Sequence, residues 1–234
     1  MNASKRWRLG TGLAIALAVA LSLAVLQGCG GTQTPATKTG GKAGGASAGQ
    51  TIPPGKTIPG TGTGEDAQPT YTFREIWRRA LPVAHKWRAG AYLSHAEGSD
   101  VADDGTAGWR LIFIDKSATD TGLVVTMDAH GAGIVTNEAP ADSLKKAGPG
   151  YGDRIPPFII DSDDAMAVAK ANIAPGNPLL KMDPEVVNST LELSSDLPRN
   201  GPQWWYMLSN PNPGDNTPAA KVHMNAFNGK VLDF

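Results

Sequence analysis

The segment from residue 30 to residue 70 limits where this chain of 234 residues can fold. It contains 11 glycines, nine threonines and five prolines, and its only large apolar side chains are Ile52 and Ile58. A segment of this composition cannot bury enough apolar surface to offset the entropy lost when its backbone becomes ordered. The sequence therefore predicts a disordered Gly/Thr/Pro-rich tether over residues 29–70 and confines the folded part to the residues that follow.

Residues 1–28 have the layout of an export signal. Basic residues at positions 5, 6 and 8 precede a nearly uninterrupted apolar run over 9–26, and small residues follow it. This order is typical of a secretory signal peptide. An uncleaved transmembrane anchor is the alternative, because the apolar run approaches the roughly 20 residues that span a bilayer.

The apolar run ends at Leu26-Gln27-Gly28-Cys29. These residues resemble the lipobox of bacterial lipoproteins. The resemblance implies cleavage before Cys29, acylation of its sulfur and a durable membrane anchor made of fatty acyl chains such as palmitate. With Gly30 after the cysteine, it also implies the outer membrane in a diderm cell and otherwise the outer face of the plasma membrane.

Charge and cysteine content narrow the possible functions. The chain has 21 basic and 22 acidic side chains and a formal net charge of −1, which argues against a general nucleic-acid binder. Cys29 is its only cysteine, so a disulfide within the chain is excluded. The partners predicted from the sequence are therefore the membrane, through lipidated Cys29, and a protein or peptide of the envelope.

Two short matches to catalytic motifs lie inside the predicted tether. Residues 45–49 match G-x-S-x-G around Ser47, but a nucleophile elbow requires a strand before the serine and a helix after it. Residues 55–57 match the end of a phosphate-binding loop, but Gln50 stands where the first glycine belongs. The four histidines lie on separate predicted elements, without the spacing of a zinc site. The sequence thus predicts no catalytic residue, no metal site and no cofactor.

The residues after 70 have the pattern of a mixed α+β fold. Thr72 and Glu75 have the spacing of a capping box ahead of an apolar stripe, which predicts a helix that Pro82 kinks or splits. A second helix is predicted over 165–174, after an acidic N-terminal cap at 161–164. Short alternating segments predict strands over 91–97, 109–115, 122–128, 185–194, 203–209 and 219–227, with a last strand over 230–234 after the hairpin signal Asn228-Gly229.

This order predicts an α+β fold of two repeated units, each with one helix packed on a three- to four-stranded antiparallel sheet. The first unit would span 71–150 and the second 151–234. A direct match supports the duplication, because residues 127–135 align without gaps with 224–232. With the same offset along the chain as between residues 127 and 224, Trp109 aligns with Tyr206.

The end of the second unit, residues 222–232, resembles the closing strand and turn of a PepSY domain. The resemblance implies small α+β modules of the kind found in exported proteins and protease propeptides, which act by binding or inhibition. It brings no catalytic residues with it.

Trp204-Trp205-Tyr206 is the strongest candidate for a binding surface. In a strand, Trp204 and Tyr206 point to one face and Trp205 to the other, so both faces carry large aromatic groups. On the neighbouring predicted strand, Lys221 and His223 share the polar face. We therefore predict that Trp204, Trp205, Tyr206, Lys221 and His223 belong to a partner-binding surface. The alternative is that the two units bury the tryptophan against each other as part of a core.

These features predict a non-catalytic lipoprotein of the cell envelope that binds a protein or peptide. The PepSY resemblance implies an inhibitory or regulatory action on a peptidase. A structural or assembly subunit of an envelope complex is the first alternative. An enzyme of unrecognised type is the second, and it would require a cluster such as Glu192 with Lys221 and His223 on one face.

Overall fold

The computed structural model describes residues 51–60, 68–145, 152–182, 186–196, 201–210 and 219–232. The predicted signal peptide, Cys29 and residues 29–50 of the predicted tether lie outside the described residues. Within the described residues, no helix combines the length and the apolar character that a bilayer crossing requires.

The described chain begins with two short strands, β1 (Thr57–Ile58) and β2 (Thr70–Tyr71), and then forms helix α1 (Phe73–Trp87). Four strands follow: β3 (Tyr92–Ser99), β4 (Gly108–Asp115), β5 (Ala118–Met127) and β6 (Val135–Pro140). Next come the short helix α2 (Ala141–Lys145), helix α3 (Ser162–Asn172) and a 3₁₀ turn (Pro178–Lys181). The last three strands are β7 (Asn188–Asp196), β8 (Gly201–Ser209) and β9 (Ala220–Asn225).

Strands β3 to β9 form one antiparallel sheet of seven strands, in the order β6-β5-β4-β3-β7-β8-β9. β1 and β2 form a separate two-stranded ribbon. The sheet thus consists of two runs of consecutive strands, β3 to β6 and β7 to β9. β3 and β7 pair with each other and join the two runs, with Ala96 opposite Leu193 and Glu97 opposite Glu192. The predicted α+β class with antiparallel strands is confirmed, and the strands of both predicted units lie in this single sheet.

The main core lies between one face of the sheet and helices α1 and α3. At its centre, the Phe73 ring of α1 lies 4.9 Å from Trp109 of β4 and 5.2 Å from Trp204 of β8. All three side chains are fully buried. Burying a side chain of this size contributes about 1.5–3 kcal/mol to folding, so this aromatic contact ties the two runs of strands to one helix.

The first residues of α3 cap the N-terminus of α1. Asp161, the N-cap of α3, accepts hydrogen bonds from the Thr72 hydroxyl at 2.6 Å, from the Arg74 backbone amide at 2.9 Å and from the Ser162 amide at 2.8 Å. The Ser162 hydroxyl accepts from the Phe73 amide at 2.9 Å and donates to the Gly105 carbonyl at 2.7 Å. The two helices thus satisfy backbone donors that every helix N-terminus leaves without a partner.

The predicted capping box does not form, because Thr72 and Glu75 have other partners. The Thr72 hydroxyl makes no cap within its own helix and donates to Asp161 instead. Glu75 forms ion pairs with Arg78 and Arg79 on the helix surface. The start of the helix was predicted correctly, but its cap comes from the other helix, which local sequence spacing does not reveal.

Part of the predicted tether is ordered against the fold. Ile52 is buried in the main core, and Thr57–Ile58 pairs with Thr70–Tyr71. Lys56 forms ion pairs with Asp163 and Asp164 at the start of α3. The prediction of disorder is therefore wrong for residues 51–60, because the Ile52 side chain and the Lys56 charge hold this segment against the fold.

Three further differences concern which helices and strands form and how far they extend. α1 continues through Pro82 to Trp87 and is not split. Strand β6 and helix α2 were not predicted. The segment after Asn228-Gly229 contributes an isolated bridge between Met224 and Val231, where a full strand was predicted.

Replacing Asp161 by alanine is expected to lower the free energy of unfolding by about 3 kcal/mol, because three donors lose their acceptor in a buried position. Urea denaturation of the full chain measures this change. The control is Asp142→Ala in α2, whose side chain is 92% exposed and pairs with Lys145. That change should cost less than about 1 kcal/mol. Equal costs for the two variants would contradict the role assigned to Asp161.

Candidate binding face

The side of the sheet opposite α1 and α3 is called the second face. Strand alternation places Trp204 and Tyr206 against the helices and therefore turns Trp205 and Met207 to the second face. At one end, helix α2 covers this face, where Leu144 packs with Tyr92, Ile112 and Ile114. The β7-β8-β9 side carries the predicted site residues.

The structure separates the predicted site residues into two groups. Trp204 and Tyr206 are 0% and 5% exposed on the helix side, and the Trp204 indole N–H donates to the Ile160 carbonyl at 3.2 Å. Including these two residues in a binding surface was wrong, since they belong to the main core. Trp204 instead fits the alternative, because it lies 6.1 Å from Trp109 of the other run of strands.

Trp205, His223 and Lys221 lie together on the second face. Trp205 is directly opposite His223 in the β8–β9 pairing, and their rings stack with centroids 3.5 Å apart and planes 21° apart. His223 is also held by a hydrogen-bond contact between its Nε2 and the Gln203 side-chain oxygen. Lys221 is exposed two residues before His223. This stack fixes the orientation of a partly exposed aromatic ring beside a cation.

The stack continues a line of polar side chains across the sheet. The polar row consists of residues that pair in register over five neighbouring strands: Arg110, Glu97, Glu192, Trp205 and His223. Glu97 and Glu192 face each other directly across β3 and β7. Burial and the Glu97 charge raise the pKa of Glu192 above its usual value. Like charges placed opposite each other are destabilising in a sheet, which makes this arrangement unusual for a purely structural surface.

His95 lies on the second face beside the polar row, two residues before Glu97 on β3. It is 3% exposed, its Nδ1 lies 3.8 Å from a Glu192 carboxylate oxygen, and its Nε2 has no hydrogen-bond partner among the described residues. Burial and the nearby Arg110 charge lower the pKa of His95 to about 4. The ring is therefore neutral at pH 7, and its approach to Glu192 is not an ion pair.

The cluster that would indicate an enzyme is interrupted. Trp205 lies between Glu192 and His223 in the pairing register, and Lys221 pairs with Met207. Glu192 and His223 lie two strands apart, about 10 Å at the backbone, and Trp205 holds the register position between them. Among the residues that the structure describes, no three His, Cys, Asp or Glu side chains could together hold a metal ion.

Sequence reasoning missed the part of the site contributed by β3 and β4. His95, Glu97 and Arg110 alternate with apolar residues along their strands, so their face was readable from the sequence. Their proximity to Glu192 could not be read from the sequence, because it depends on the pairing of β3 with β7.

Comparisons with known proteins give no match to any family model, curated protein or solved structure. The functional interpretation therefore rests on the residues and their geometry.

Replacing Trp204 and Trp205 separately by alanine should have clearly different effects on stability. Trp204→Ala leaves a cavity in the main core and should lower the free energy of unfolding by about 3–5 kcal/mol. Trp205→Ala removes one ring of a surface stack and should cost about 1 kcal/mol. Urea denaturation of the two full-length variants tests the assignment, which equal losses would contradict.

His95 should make stability depend on pH. Its pKa is about 4 in the folded state and about 6.5 in the unfolded state, so the unfolded chain binds the extra proton between these values. Stability should fall by about 3 kcal/mol from this group as the pH drops from 7 to 4. The raised pKa of Glu192 acts in the opposite direction, since the folded state then holds its proton more tightly.

The His95→Gln variant isolates the histidine contribution from that of Glu192. The stability difference between wild type and His95→Gln should shift by about 3 kcal/mol between pH 7 and pH 4, measured by urea denaturation. The control is His130→Gln, which changes an exposed histidine. A pH-independent difference for His95→Gln would contradict the buried, neutral state.

Proposed function

We propose that this chain is an exported, non-catalytic lipoprotein of the cell envelope that binds a protein or peptide through the second face of its sheet. The observation that carries the proposal is the Trp205–His223 stack beside exposed Lys221, on the sheet face that α1 and α3 leave uncovered. A preoriented aromatic ring provides contact area at low entropic cost, and such residues are enriched where proteins bind each other.

The proposal includes a tandem pair of PepSY-like units, each built from a helix followed by antiparallel strands. Two geometric relations support the duplication. The first strands of the two units, β3 and β7, pair antiparallel with each other, and the two helix N-caps, Thr72 and Asp161, share a hydrogen bond. Contacts of this reciprocal kind are expected when two similar units are related by an approximate two-fold axis.

The turns after β5 and β9 also support the duplication. The His130 amide donates to the Asp128 side-chain oxygen at 3.0 Å, and the Phe227 amide donates to that of Asn225 at 2.9 Å. These pairs occupy matching places in the aligned segments 127–135 and 224–232. The strand register adds one refinement: Trp109 opposes Met127 as Trp204 opposes Met224, so Trp204 is a better counterpart of Trp109 than Tyr206 is.

The resemblance to PepSY modules suggests the kind of action. Modules of this type act by binding or inhibition, so we propose inhibition or regulation of a peptidase as the outcome of binding. The docked segment 51–60 supports a defined position of the fold relative to its anchor. Lys56 pairs with the start of α3, and the chain leads from there back to Cys29.

The binding proposal is tested by partner capture with the full chain from detergent-extracted envelope of the source organism. Wild type should retain a defined protein, and Trp205→Ala should lose most of it because the stack can no longer form. The control is Leu180→Ala, which removes an exposed apolar side chain on the 3₁₀ turn. Retention of the same partner by Trp205→Ala would refute the role of the second face.

The anchor is tested by replacing Cys29 with alanine. Wild type should fractionate with membranes and give a mature N-terminal peptide that starts at acylated Cys29, as seen by mass spectrometry. Cys29→Ala should lose this modification and the cleavage that depends on it. A wild-type chain that keeps residues 1–28 would support the transmembrane anchor and contradict lipidation.

A further inference from the structure

Among the described residues, Glu192 is a partly buried carboxylate to which no lysine or arginine is paired. Its side chain is 31% exposed, and no Lys or Arg of the described residues lies within ion-pair distance of it. The one basic ring nearby, that of His95, is neutral at pH 7. Partial burial of an unpaired carboxylate costs free energy. An approaching cation therefore stabilises Glu192 more than it would stabilise an ordinary surface carboxylate.

Glu97 increases the free energy that Glu192 would gain from a nearby cation. It faces Glu192 across the β3–β7 pair, while the Arg110 guanidinium of β4 lies 3.7 Å from the Glu97 carboxylate on the opposite side. Arg110 therefore compensates Glu97 from the far side, and Glu192 stays exposed to the repulsion of a neighbouring carboxylate. A positive group placed over Glu192 would relieve this repulsion.

Glu192 also lies beside an aromatic ring. On its other side, Glu192 is directly opposite Trp205, the ring that stacks on His223. An aromatic ring next to a carboxylate is suited to a basic side chain, because the ring attracts a cation through its π electrons while the carboxylate forms a charged hydrogen bond. The polar row thus offers both elements of cation recognition on neighbouring strands.

We propose that the second face binds an extended segment of a protein partner that places a lysine or arginine side chain over Glu192 and against Trp205. This inference rests on the proposed function and specifies the chemistry of its partner. An ion pair on an open surface contributes only about 0–1 kcal/mol, so a small free amine would gain little there. A peptide adds apolar contact with Met207, which is 38% exposed beside Trp205 on β8.

A groove continues from the polar row and gives such a segment a path. It has a volume of about 820 Å³ and runs along the ends of β3, β4 and β5; its charged lining residues are Glu97, Asp100, Arg110 and Asp128. Three of these four charged groups are negative, so a basic segment meets complementary charge beyond Glu192 as well.

The test uses two probes and the full chain in detergent micelles. One probe is a capped hexapeptide of alternating glycine and lysine, and the other has glutamine in place of each lysine. Binding is followed through the tryptophan indole N–H signals in nuclear magnetic resonance spectra. The lysine peptide should bind about tenfold more tightly, and this preference should disappear in Glu192→Gln.

The matched control is Glu138→Gln on edge strand β6. Glu138 is exposed and pairs with Leu123, whose side chain lies in the main core, so it is on the helix side of the sheet. This variant should keep the lysine preference. A preference that persists in Glu192→Gln, equal binding of the two peptides, or no shift with either peptide would each overturn the inference.

These outcomes are distinct from failure of the proposed function. If both peptides bind equally and Trp205→Ala weakens both, the second face binds partners but does not select a basic side chain. If the lysine preference depends on Glu192 while Trp205→Ala still captures the envelope partner, the cation site stands and the proposed partner surface does not.

Discussion

The capping of α1 by the first residues of α3 is the constraint on which the rest of the structure depends. Thr72, Asp161 and Ser162 are all buried; Asp161 and Ser162 accept from the first amides of α1, and Asp161 also accepts from the Thr72 hydroxyl and from the first amide of its own helix. Buried polar groups are favourable only when fully bonded, so the two helix ends must meet in one relative position. That position seats Phe73 between Trp109 and Trp204 and so aligns the two runs of strands beneath the helices.

The division of the sheet into two different faces follows from this arrangement. With α1 and α3 on one side, the alternation of side chains along β8 points its two tryptophans to opposite faces of the sheet. Trp204 becomes part of the core, and Trp205 becomes a surface ring held by His223. The β3–β7 junction then places Glu97 and Glu192 side by side, which no single unit could do.

Several of these features were readable from the sequence and others were not. Alternation correctly placed Trp204 and Trp205 on different faces and located most strands, because face and periodicity are local properties. The cap between Thr72 and Asp161, the docking of Ile52 and the pairing of Glu97 with Glu192 join residues far apart in the chain. Such contacts depend on how the elements pack together, which local spacing does not specify.

Amide hydrogen exchange of the full chain tests most directly whether the two runs of strands form one cooperative body. The structure predicts that amides on the shared edge of β3 and β7 exchange only through global unfolding, with the same opening free energy as protected amides of β4. It also predicts that this free energy equals the one obtained from urea denaturation. Opening of β7 to β9 at a clearly lower free energy, while β3 to β6 stay protected, would contradict a shared core and the second face built on it.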